Sequence, residues 1–194
     1  MIPFLSAQGK QIFIGNILIV GCCAFYLAWW LLAFKPTGAI TGMKTGWLLL
    51  PACVLGLIGV FTALHGIRTI TSTQQLFPGW IALWGGVAAY IILLVITLVF
   101  LHRPVTTELF LIVGWAVLAL SEMNALFGGG LLPRGLSTGF VITILAASAV
   151  SLVCYIIYYH LDSKAGYITG MIPLLMTALV TVAISCALVI SNRQ

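Results

Sequence analysis

Six times along the chain an apolar run of about 20–23 residues recurs, enough for roughly 30–35 Å of helix and one crossing of a bilayer core. The runs fall at 12–34, 46–67, 79–101, 107–126, 138–160 and 168–190. In hydrocarbon every backbone N–H and C=O must be satisfied by the protein itself, and consecutive apolar residues do that as helix. The expected fold is therefore all-α: a polytopic membrane bundle of about six transmembrane helices, arranged as three helical hairpins in a single domain over residues 1–194.

Composition closes the alternative of a water-soluble fold. With 62% of the 194 residues hydrophobic and 6% charged, the chain has too little polar surface to cover itself in water. The first run is too long for the h-region of a signal peptide and no A-x-A-like site follows it, so it reads as a transmembrane helix. Pro36, Pro78, Pro104 and Pro133 lie between runs, while Pro51 and Pro173 lie near the starts of the second and sixth. There a missing N–H is tolerable if neighbours satisfy the freed carbonyl.

The net charge of +5 comes from cations scattered singly between apolar blocks. That pattern fits membrane lipid headgroups as partners and excludes a nucleic-acid surface, which needs clustered cations. The cations do not orient the bundle: Lys10, Arg68, Arg134 and Arg193 share the face of the N-terminus, and Lys35, Lys44, Arg103 and Lys164 the other. The N-terminal amine tips the expectation towards cytoplasmic termini, and short connectors towards a bacterial cytoplasmic (inner) membrane.

Neither a cofactor nor a metal is expected. Cys22, Cys23, Cys53, Cys154 and Cys186 lie inside apolar runs without C-x-x-C or zinc-type spacing. His65 closes one face while His102 and His160 close the other, which excludes paired histidines at one depth as haem ligands.

Small residues spaced by four mark expected packing seams: Gly139, Thr143, Ala147 and Ser151 in the fifth run, Thr177, Thr181 and Ser185 in the sixth, Ala52 and Gly56 in the second. Trp29, Trp30, Trp47 and Trp80 take interfacial belt positions, with Tyr155, Tyr158 and Tyr159 at the face of Trp29 and Trp30; Trp84 and Trp115 lie deeper. Ile40-Thr41-Gly42-Met43 echoes Ile168-Thr169-Gly170-Met171, each behind a Gly and a Lys, as a duplicated hairpin would.

Chemistry is expected where an ionisable group enters a span, because it is costly there. Glu108, Trp115 and Glu122 are spaced by seven and fall within about 40° on one face of the fourth helix. His65 and Arg68 end the second helix at the face Glu122 approaches, so Glu122, Glu108, Trp115, His65 and Arg68 form the candidate ligand or pathway set, and Arg68 or Arg134 would serve as simple counter-charges if Glu122 were interfacial. A secondary polar cluster, His102, Arg103, His160 and Asp162, gathers at the other face with Glu108 and Lys164. No catalytic residue is assigned: Gly135-Leu136-Ser137-Thr138-Gly139 matches G-x-S-x-G, but that motif needs a preceding strand and none is expected. Gly128, Gly129 and Gly130 favour a flexible fourth connector.

Three classes fit these residues. The first is a small transporter, or the membrane component of one, for a small-molecule solute. The second is a non-catalytic sensor or accessory subunit that meets a partner membrane subunit or forms a homo-oligomer. The third is an intramembrane enzyme acting on lipid or quinone at the His102–Asp162 cluster.

Overall fold

The structure is a computed structural model describing residues 5–33, 45–71, 74–99, 102, 106–158, 160–161 and 163–193. Residues 35–43, which hold the Ile40-Thr41-Gly42-Met43 side of the expected echo, lie outside these, as do Arg103, Pro104, Tyr159 and Asp162. The described chain is helical without a strand: α1 (Ala7–Ala33), a 3-10 turn (Thr45–Leu48) leading into α2 (Leu49–Thr69), α3 (Gly79–Val99), α4 (Thr106–Gly128), α5 (Arg134–Tyr158) and α6 (Ser163–Ser191). All six are long and apolar enough to cross a membrane, and the chain is a multi-pass membrane protein.

Helices α1, α5 and α6 begin four or five residues ahead of the apolar runs, because local hydrogen bonding, not hydropathy, sets their ends. Ser6 accepts the Gly9 N–H on Oγ at 3.1 Å and so caps α1 ahead of Gln8, Lys10 and Gln11. Pro133 precedes α5, and its carbonyl accepts the Ser137 N–H at 3.0 Å. Pro51 stands in the first turn of α2, where its missing N–H would have had no helical partner anyway.

Sequential pairs α1/α2, α3/α4 and α5/α6 pack together, and further contacts join α2 to α4, α4 to α5, and α6 to α1. Five helices thus follow one another around a ring in the order α1–α2–α4–α5–α6, with α4 leaning inwards to touch α6 as well and to bond to α1, while α3 lies outside and packs on α4. The tightest crossing is α1 on α2. A Cβ on Gly15 would stand 2.7 Å from Ala63 N and 2.8 Å from Gly59 O, so only glycine permits the approach. The α2 seam accordingly runs through buried Ala52, Gly59, Ala63 and Gly66.

The α5 row needs correction. Ala147 and Ser151 are buried, but Gly139 and Thr143 face outward. Residues four apart are about 400° apart around a helix, so such a row drifts by about 40° per step and leaves the interface within three steps. The buried face of α5 is instead Ser137, Ile144, Ala147, Ser151 and Tyr155. On α6 the expected seam holds, with Thr181 and Ser185 buried.

Polar contacts tie the connectors together at the N-terminal face. Asn192 Nδ2 donates to Leu131 O in the fourth connector at 3.1 Å, and Leu76 N in the second donates to Asn124 Oδ1 of α4 at 2.9 Å. At the opposite face Trp30 is a rivet as well as a belt residue: its Nε1 donates to Tyr167 O at 3.1 Å, and its ring lies over Gly170 and 5.7 Å from that of Tyr158. Trp47, Trp80 and Trp84 are exposed.

Candidate functional site

The fourth helix is the least apolar of the six and the most enclosed, with half of its span buried by its neighbours. Only a helix withdrawn from lipid can carry a carboxyl at depth, because a charged or unsatisfied polar group facing hydrocarbon costs several kcal/mol. Glu122 uses that shelter. It is 2% exposed and lies six residues before the end of α4, about 9 Å inside the N-terminal face.

Its partner is Asn16 of α1, itself 1% exposed, whose Nδ2 donates to Glu122 Oε2 at 3.1 Å. The other carboxyl oxygen, Oε1, is buried and has no hydrogen-bond partner among the described residues. Asn16 reaches inward because its neighbour Gly15 brings α1 against α2, with Ile12 and Ile19 buried on the flanks. One amide donor serves one of the two oxygens, although an ionised carboxyl offers about four acceptor sites.

A second polar layer lies seven residues, about 10 Å, further into the bundle. Trp115 Nε1 donates to Thr181 Oγ1 of α6 at 3.1 Å; that hydroxyl donates back to Thr177 O at 2.7 Å, and Ser185 Oγ donates to Thr181 O at 2.9 Å. Trp115 and Glu122 thus both turn into the ring, towards α6 and α1 respectively. The Glu108 side chain lies outside the described residues, and Leu111, on the margin of the buried arc, is exposed.

His65 and Arg68 do not join Glu122: both are exposed on α2. Each follows a buried small residue, Ala63 and Gly66, by two positions, which is about 200° around the helix and therefore the outer face. Arg134 is exposed as well, so Glu122 is neither interfacial nor ion-paired to these cations. Within the secondary cluster His102 and His160 are exposed, while Arg103 and Asp162 lie outside the described residues. The G-x-S-x-G string forms the first turns of α5, where Ser137 is fully buried and its Oγ has no partner among the described residues.

Asn16 escaped the sequence reading. Its signal was present, since it is the one amide in α1 beyond Gln11, but an amide carries no charge and drew no notice. A cavity of about 270 Å³ opens between α2, the second connector, α3 and α4, lined by Ile70, Gln75, Phe77, Ser121 and Asn124. It lies on a different face of α4 from Glu122.

Hydroxyls, an amide, an indole and one carboxyl inside a helical ring can bind, relay or exchange; they include no nucleophile paired with a base. No known protein family, no curated protein and no solved structure matches this chain.

Proposed function

We propose that this chain is a small transporter, or the membrane component of one, for a small solute, in a bacterial cytoplasmic membrane. The polar interior from Glu122 and Asn16 to Trp115 and Thr181 is its pathway. The observation that carries the reading is Glu122: a carboxyl buried at depth with one oxygen unpartnered adds nothing to packing that an apolar side chain would not do better. The five-helix ring around it and the short connectors support the same reading. The place of α3, outside the ring and the least enclosed of the six spans, supports a second one, in which the chain is an accessory module that meets a partner membrane subunit or a second copy there.

Reconstitution into liposomes separates the two. In stopped-flow light scattering with glycerol, urea, acetate and methylammonium as probe solutes, at least one should cross wild-type vesicles several-fold faster than protein-free ones. The Glu122→Gln variant should lose most of that excess. Permeation equal to protein-free liposomes for every probe, with co-purification of a second chain, would favour the accessory module.

A further inference from the structure

Among the described residues Glu122 is a buried carboxyl whose neighbours supply one amide donor and no cation. The charged groups on the helices packed around α4 are Lys10, His65, Arg68, Arg134 and Lys164. All are exposed except half-buried Lys10, and none bonds or ion-pairs with the carboxyl. Of the titratable groups inside the spans, Cys23 lies seven residues, about 10 Å along α1, beyond Asn16, and Tyr155 lies three residues from the opposite end of α5.

The described residues therefore leave Oε1 open to a species that they do not themselves supply. A metal cation needs a shell of several oxygens. The buried hydroxyls of Thr181 and Ser185 are already committed to Trp115 and to carbonyls of α6, and no group of three or more His, Cys, Asp or Glu that could hold a metal ion exists among the described residues. A proton needs one oxygen only.

We infer that Glu122 is the proton-exchanging group of the bundle, taking up and releasing a proton at Oε1 while Asn16 holds Oε2. The inference rests on the transport reading and names its coupling ion. Exchange opens first to the N-terminal face, about 9 Å away by the length of α4 beyond Glu122, and net flux requires release to the opposite face in turn. Buried Leu126, Leu132 and Leu188 close that side. Ser137, about 4.5 Å inside the same face by its place in α5, offers the second unpartnered polar atom at an intermediate depth. The structure is thus the occluded state, and Asn16 is a positioning residue.

The test uses the full chain in liposomes with two readouts. Dicyclohexylcarbodiimide accepts the proton of a carboxylic acid and adds the resulting carboxylate at its central carbon. The O-acylisourea then rearranges to an N-acylurea, so the protein gains the whole reagent mass with nothing leaving. Peptide mapping should place one adduct on Glu122, its yield falling as pH rises, and Glu122→Gln should lose it. Asn16→Ala should shift the pH midpoint of labelling, which a merely structural role would leave in place.

The second readout is trapped pyranine under a valinomycin-imposed potassium potential. Wild-type vesicles should acidify, and Glu122→Gln vesicles should match protein-free ones. No adduct on wild-type Glu122 at any pH, a yield independent of pH, or undiminished proton flux in Glu122→Gln each overturns the inference. If those fail while a probe solute still permeates, the transport reading stands without proton coupling. If both succeed with no solute permeation, proton exchange stands and the solute reading falls.

Discussion

At the scale of single residues, the Asn16–Glu122 bond has two energetic faces. A buried hydrogen bond contributes modestly when made, yet leaving one partner without the other costs its full desolvation. Asn16→Leu alone strands Glu122, which has no other donor among the described residues, and should destabilise the protein by about 1–3 kcal/mol. Glu122→Met alone strands only an amide and should cost less. The double variant Asn16→Leu/Glu122→Met removes both polar groups at similar volume and should unfold within about 1 kcal/mol of wild type, or above it. Thermal melting in detergent reads all three. A double variant as unstable as Asn16→Leu would mean that the pair is kept for structure. Glu122 was legible in the sequence because a carboxyl in an apolar run cannot be missed. Its partner was not, since charge led to His65 and Arg68, and the geometry of α2 turns both away.

Among elements, what distinguishes one helix face from another is backbone access. Lipid and protein interiors are equally apolar, so a span that is apolar all round does not declare which face packs, and small residues are the remaining signal. The α2 seam can be read from Ala52 and Gly56 onwards because Gly59, Ala63 and Gly66 continue it with the shorter spacings that follow a helix; the α5 row of strict fours cannot, because it rotates away. The same logic ranks glycines. In Gly15→Ala the new methyl meets the backbone of Ala63 and Gly59 at 2.7–2.8 Å, so α1 and α2 must move apart, at a cost of about 1–3 kcal/mol. Gly139→Ala meets nothing within 4 Å and gains helix propensity, so its Tm should be unchanged or slightly higher. Equal melting of the two variants would show that the α1–α2 crossing is looser than its geometry implies.

The six-helix count follows from chain length and hydropathy, but the ring does not: which helices adjoin depends on faces that the sequence leaves undeclared, and α3 is consigned to the outside by contacts alone. A closed ring around Glu122 has a consequence for the molecule as a whole. Leu126, Leu132 and Leu188 seal the N-terminal end at 0–2% exposure, so exchange requires these side chains to part. Connector four is fastened in the closed state, with Leu131 and Leu132 N–H donating to Leu126 O and Asn192 donating to Leu131 O, so opening must break these bonds. A Leu126→Cys variant, with Cys22, Cys23, Cys53, Cys154 and Cys186 replaced by alanine, should resist a membrane-impermeant maleimide at rest. Gln75→Cys in the same background, exposed beside the cavity at that face, should label at once. Under an imposed pH gradient Leu126→Cys should begin to label, several-fold faster than at rest, and Glu122→Gln should suppress the change because the carboxyl that senses the gradient is gone. Rapid labelling at rest would mean that the ring is open at this end in the membrane. Labelling that never appears, while protons still move, would place the route of exchange elsewhere, along the Trp115–Thr181 layer towards the opposite face.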